Sequence, residues 1–128
     1  MILEIKSDPS ELKTVRKNVE LFCKKNLKKI EIFEVKLAID EALQNIIRYA
    51  YNFDKSQKII IKLEKISDVS FKAELRDFGT KVSNTQIKPR ELDDIRPGGL
   101  GIHFIKSIAK KISYEHQEDG GTLLTLVF

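Results

Sequence analysis

Apolar and polar positions alternate over residues 1 to 6, with Met1, Leu3 and Ile5 on one side and Glu4 and Lys6 on the other. That period of two predicts a short strand. The period then lengthens. Asp8-Pro9-Ser10-Glu11 offers an N-cap aspartate, a proline at the first helical position and a glutamate placed to close a capping box. Leu12, Val15, Val19 and Phe22 recur at helical spacing as far as about Asn26. A second helical pattern, the most apolar of the chain, covers residues 31 to 51 and carries Val35, Ala38, Ile39, Ala42, Leu43, Ile46, Ile47 and Ala50.

After Asn52-Phe53-Asp54, the stretches Lys58 to Lys65 and Val69 to Asp77 read as a hairpin turning at Ser67-Asp68. Val69, Phe71, Ala73 and Leu75 share one parity and are expected to face the core, and Asp77 continues it. Residues 79 to 98 have no sustained periodicity and contain Gly79, Pro89, Pro97 and Gly98, so they read as a long loop, a feature that is usually functional. A helical face follows from Gly99, with Ile102, Ile105, Ile108, Ala109 and Ile112. The chain closes with strands at Ile112 to His116 and Thr122 to Phe128, joined by a turn at Gly120-Gly121. The expected fold is α+β: a two-layer sandwich in which three helices cover one face of a mixed, mostly antiparallel sheet. No repeat or linker divides the chain, so residues 1–128 are read as a single domain.

Composition narrows the function classes. With 41% hydrophobic and 33% charged residues the chain is an ordinary globular domain. It holds no apolar run long enough to cross a bilayer and no leader pattern, so a cytoplasmic protein without membrane contact is expected. The single Cys23, with only His103 and His116 beside it, offers no spaced zinc set. A net charge of +4 raises the question of nucleic acid. Yet the densest cluster, Lys24-Lys25 with Lys28-Lys29, falls at a helix end, where cations favour the dipole, and lacks interleaved aromatics. Direct nucleic-acid binding is not expected.

Three groups of polar residues break the pattern. On the second helix Glu41, Asn45 and Arg48 lie at i, i+4 and i+7, outside the apolar arc and beside the small Ala38 and Ala42. This stripe is either a solvated surface network or a carboxylate, amide and guanidinium with room above them. Asp77 lies at the inward-facing end of an apolar strand, where a carboxylate is costly unless a ligand or donor satisfies it. Phe78-Gly79 follows, and the glycine permits close approach of a ligand; a simple turn is the alternative. Pro97-Gly98-Gly99-Leu100-Gly101 opens a helix, exposing backbone N–H groups at the positive end of its dipole, an arrangement suited to phosphate. It matches neither the Rossmann nor the Walker spacing.

Taken in order, Glu41-Ala42-Leu43-Gln44-Asn45, Asp77-Phe78-Gly79, Gly99-Leu100-Gly101 and Gly121-Thr122 resemble the N-box, the two glycine boxes and the terminal Gly-Thr element of the gyrase and histidine-kinase ATPase superfamily. The segments from Glu41 to Tyr51 and from Gly98 to Ile102 look most like the small anti-sigma factor serine kinases. The resemblance implies ATP and Mg²⁺ as ligands. It implies Glu41 as general base and Asn45 as an oxygen ligand of Mg²⁺. Asp77 would take the adenine amino group, with Thr122 in support, and Gly79 would let the base lie close. The backbone around Gly98, Gly99, Leu100 and Gly101 would hold phosphates, and Arg48 and Arg96 would balance their charge.

It further implies a protein serine kinase that phosphorylates a small anti-anti-sigma partner of the STAS type, sequesters a sigma factor and acts as a homodimer. The other implied readings are a non-catalytic nucleotide-gated module and a sister switch kinase of a stress-signalling complex that binds no sigma factor. The 128 residues leave no room for a phosphoacceptor or transducer domain, and His103 and His116 are read as structural or surface residues. Two positions depart from the pattern: Lys81 stands at the second glycine of the Asp-x-Gly-x-Gly box, and Tyr49 at a histidine frequent in these kinases.

Overall fold

A computed structural model describes residues 1–79 and 99–128. Among these residues, strands β1 (Ile2–Lys6), β2 (Lys58–Ser67), β3 (Ser70–Asp77), β4 (Lys111–His116) and β5 (Thr122–Val127) form one sheet in the order β1-β2-β3-β5-β4. Each pairing in it is antiparallel. Helices α1 (Leu12–Asn26), α2 (Ile32–Asn45) and α3 (Gly99–Ile108) make the second layer of the α+β sandwich. None of them is long and apolar enough to cross a membrane.

Strand parity decides which face the helices cover. Ile59, Ile61, Leu63, Phe71, Ala73, Leu75, Leu124 and Leu126 are buried beneath the helices, together with Val15 and Val19 of α1 and Ile39 and Leu43 of α2. Burying one large aliphatic side chain contributes roughly 1.5–3 kcal/mol, so this face fixes the register of the sheet. The alternate positions carry a polar lattice, with Lys72 of β3 set 3.6 Å from Glu64 and 3.9 Å from Glu74.

Three local expectations are corrected. Asp8 does cap, accepting the Ser10 amide at 2.9 Å, but the turn it caps is a tight 3-10 segment over Pro9–Glu11. Glu11 accepts the amide of Lys6 and ties the helix entry to β1, where a capping box would have returned it to Asp8. The hairpin turns at Asp68-Val69, because the register shifts between Lys65 and Ser67. The extra residue puts Val69 in the turn, half exposed, and buries Ser70 in its place, with its hydroxyl donating to the Phe128 carbonyl at 2.6 Å.

The third correction bears on the site. The helix expected through residue 51 keeps its α ladder only to Asn45, and Ile46–Ala50 is wound as a π segment. Tyr51 N–H donates to the Ile46 carbonyl at 3.1 Å, and Phe53 N–H to that of Ile47 at 2.8 Å. The chain then leaves through Asn52 and Phe53, whose φ of 47° and 65° are left-handed. Single π turns inside helices are frequent at functional sites, as are left-handed residues other than glycine.

Candidate functional site

The sheet ends on one side at Lys58-Ile59, Arg76-Asp77, Thr122-Leu123 and Glu115-His116, as the registers Ile59↔Asp77, Arg76↔Leu123 and His116↔Thr122 require. The C-terminal end of α2 comes down onto this edge. Tyr51, just past the π segment, is buried and donates its hydroxyl to the Lys58 carbonyl at 2.6 Å while accepting the Phe78 amide at 2.5 Å. The connection Ala109-Lys110 between α3 and β4 is only two residues, so α3 and β4 run in opposite directions. The first turn of α3, with Gly99 and Gly101, therefore lies toward the edge at which β4 finishes. The N–H groups of a helix's first turn have no partner within the helix, and together with the dipole they favour an anion there.

Asp77 is 4% exposed. Burial pushes its carboxyl above the ordinary range. The amides of Gly79 and Thr122 act in the opposite direction, as do the nearby Arg76 and His116. The Gly79 amide donates to Oδ1 at 3.0 Å. A buried carboxylate with acceptor capacity to spare among the described residues is suited to take a further N–H from a ligand. Thr122 is buried beside it at the first position of β5.

Asn45 is the last α-helical residue before the π segment. Its side-chain Oδ1 is buried and has no hydrogen-bond partner among the described residues. An amide oxygen left in that condition is costly unless something positive comes to it. A hard cation that prefers oxygen ligands, as Mg²⁺ does, fits that atom. Glu41 stands one helical turn before it, half-buried. Arg48 falls inside the π segment and lies 5.8 Å from the Tyr49 ring, so its direction follows the π winding and not a straight wheel.

The structure thus brings Glu41, Asn45, Asp77, Gly79, Gly99, Gly101 and Thr122 to one end of the sandwich; Leu100 belongs to the same first turn of α3. Arg96, Gly98 and Lys81 lie outside the described residues. Gly79 has a different reason from the one expected. A Cβ there would stand 2.5 Å from the Ala50 carbonyl, so the glycine lets the π segment close onto the end of β3, and that direction is not open to a base. Gly121, with φ +82°, is tighter still, since a Cβ would meet the Asp77 carbonyl at 2.0 Å.

Tyr51 and His116 join the site without having been singled out as parts of it. His116 is paired with Thr122 across β4 and β5, and its Nδ1 is buried with no partner among the described residues. The hairpin register set by Gly120-Gly121 was the signal that could have found it. For Tyr51 no sequence signal exists, because its role depends on the π turn.

A two-layer sandwich with a buried aspartate at a strand end, an asparagine oxygen without a partner among the described residues and a helix opened by glycines agrees with an ATPase domain of the histidine-kinase type. The chain belongs to that family: the model of the histidine kinase-like ATPase domain matches residues 5–128. Among curated relatives it is 33% identical over 99 residues to the serine/threonine-protein kinase BtrW of Bordetella bronchiseptica, covering 73% of this chain and 68% of that protein. It is 30% identical over 101 residues to the serine-protein kinase RsbW of Staphylococcus aureus, covering 73% of this chain and 63% of that one.

Among solved structures, the RsbU and RsbW domains of Rv1364c from Mycobacterium tuberculosis align with a TM-score of 0.67 at 17% identity, over 99% of this chain and 30% of the other. The catalytic domain of the histidine kinase ThkA aligns with a TM-score of 0.62 at 16% identity, over 100% and 96%. At such identities the likeness is one of fold.

Proposed function

We propose that this protein binds ATP at the sheet end and transfers its terminal phosphoryl group to a serine of a small STAS-type anti-anti-sigma protein, and that it sequesters a sigma factor when that partner is absent. The reading places it in the cytoplasm as a homodimer. The observation that carries the nucleotide site is the buried Oδ1 of Asn45, without a partner among the described residues, on the helix whose π continuation packs at Ala50 against Gly79, two residues after the buried Asp77. That BtrW is a serine/threonine-protein kinase and RsbW a serine-protein kinase supports a hydroxyl acceptor, serine in the first place.

Asn45 Oδ1 would hold Mg²⁺, which would supply positive charge against that of the phosphates. Asp77 accepts the amino N–H of the base and so orients the nucleotide. The N–H groups of the first turn of α3 receive phosphate charge. Glu41, one turn from Asn45, takes the proton of the attacking serine hydroxyl. As the serine oxygen bonds to the γ-phosphorus, the bond to the β-phosphate oxygen breaks, and ADP departs with that electron pair.

The test is phosphotransfer from labelled ATP to STAS-type proteins encoded by the same genome, with wild type and Glu41→Ala compared. Transfer lost in the variant with ATP affinity retained is the expected result. Tight Mg-ATP binding without transfer to any of them, unchanged by Glu41→Ala, would sink the kinase reading. Recovery of a sigma factor on the ADP- or ATP-loaded protein tests the second half separately.

A further inference from the structure

Arg76 occupies the outer face of β3, on the side of the sheet away from the helices, yet it does not reach into solvent. Its Nη1 donates to the Asp77 carbonyl at 2.8 Å and to the Gly120 carbonyl at 2.9 Å, and its Nη2 lies 2.9 Å from Asp119 Oδ1. The guanidinium is also 4.4 Å from the centre of the Phe78 ring. Only 16% of the side chain is exposed, against 77% for Asp119. An ion pair to so exposed a carboxylate contributes little, so the two main-chain carbonyls are the contacts that matter.

Those contacts stand where the backbone ladder has run out. The last β3–β5 pair is Arg76↔Leu123, and Asp77 lies beyond it. The β4–β5 turn, closed by Gln117 N–H on the Gly121 carbonyl at 3.1 Å and Gly120 N–H on that of Gln117 at 3.0 Å, must still press onto Asp77 closely enough that Gly121 tolerates no Cβ. Past the end of the ladder, the side chain of Arg76 bridges the two.

We propose that Arg76 is a positioning residue for base recognition: by holding the β4–β5 turn against the end of β3 it sets the Asp77 carboxylate and the Thr122 amide in the relation that reads the amino group of adenine. This rests on the nucleotide site proposed above and extends it to a residue on the opposite face of the sheet. The planar guanidinium bonds both carbonyls through one nitrogen and reaches Asp119 with another, a fork that a lysine ammonium does not reproduce. The positive charge also favours the ionised form of Asp77.

The experiment compares ATP with inosine triphosphate, which carries a carbonyl where adenine carries its amino group, by calorimetry on wild type, Arg76→Gln and Arg76→Lys. Wild type is expected to prefer ATP. In Arg76→Gln the ATP affinity is expected to fall about tenfold, the scale of one hydrogen bond to a charged group, while inosine triphosphate binds nearly as before. The preference therefore shrinks. Arg76→Lys, which keeps the cation, carries the same expectation in weaker form. Equal weakening of both nucleotides, or an unchanged preference in both variants, overturns the positioning role and leaves the site intact. A wild type that binds neither nucleotide, or binds both alike, overturns the base contact at Asp77 and this inference with it.

Discussion

The hydroxyl of Tyr51 and the amide of Phe78 are 2.5 Å apart, and the same hydroxyl donates to the Lys58 carbonyl at 2.6 Å. One phenol thereby joins the exit of the π segment to the start of β2 and to the residue that follows Asp77. Tyr51→Phe keeps the ring and removes both bonds. It is expected to cost about 1–3 kcal/mol, because it leaves the Phe78 amide unpaired. Denaturant titration measures that loss, and ATP affinity should fall with it, since the segment bearing Asn45 and Arg48 is no longer tied to the strand bearing Asp77.

Gly121→Ala places a Cβ 2.0 Å from the Asp77 carbonyl on a backbone with φ +82°. The loss of stability should exceed the roughly 1–2 kcal/mol that a left-handed backbone alone costs an L residue. Gly79→Ala, with its Cβ 2.5 Å from the Ala50 carbonyl, should destabilise by the same route, although its φ is not left-handed. Thermal melting of the two variants checks this; equal stability with wild type would refute the close packing.

Asp77 has its folded carboxyl pushed above the ordinary 3.8 by burial. For a carboxyl shifted in that direction, the stabilising contribution is present below the unfolded value and is lost as pH rises through the folded one. At neutral pH the ionised group is therefore a cost to the empty protein. Asp77→Asn should melt at the same temperature as wild type or higher, and should bind ATP at least tenfold more weakly, as expected for losing a charged acceptor. A melting curve with and without ATP reads both effects.

Asn45→Leu should behave in the same divided way. Removing a buried amide oxygen that has no partner among the described residues relieves a desolvation cost, so the nucleotide-free protein should lose little stability. Magnesium-dependent ATP binding should disappear. Titration of Mg²⁺ into the protein with ATP distinguishes this from a general loss of the pocket.

Asp54 organises the connection between the π segment and β2, accepting from Ser56 N–H at 3.0 Å, Ser56 Oγ at 2.6 Å and Gln57 Nε2 at 3.0 Å. These bonds, that of the Ser56 hydroxyl foremost, hold its carboxyl down at about 2. Its contribution is present above the unfolded value and is lost as pH falls from 3.8 towards about 2. Asp54→Asn should flatten the stability profile across that interval, measured by urea unfolding at stepped pH.

The order of elements and most of the site could be read along the chain because both depend on local period. Leu12, Val15 and Val19 had to share a helical face, and Phe71, Ala73, Leu75 and Asp77 a strand face, whatever lay around them. Asp77 was conspicuous because a carboxylate continued an apolar parity. The turn at Asp68-Val69 was misplaced by one residue, since a bulge is a choice between two nearly equal registers that depends on which side chain the core accepts, here Ser70 with its bond to Phe128.

Residue type and local period set the chemically able groups and the faces they occupy: Glu41 and Asn45 one turn apart, Asp77 at an inward strand end, and glycines opening α3. How these groups meet is a matter of packing between distant segments. The π turn after Asn45, the Tyr51 bridge to Phe78, the fit of Gly79 under Ala50 and of Gly121 under Asp77, and the reach of Arg76 across to Gly120 are all contacts between segments distant in the chain. Such contacts depend on packing and desolvation at distances of a few ångströms, which periodicity along the sequence does not encode.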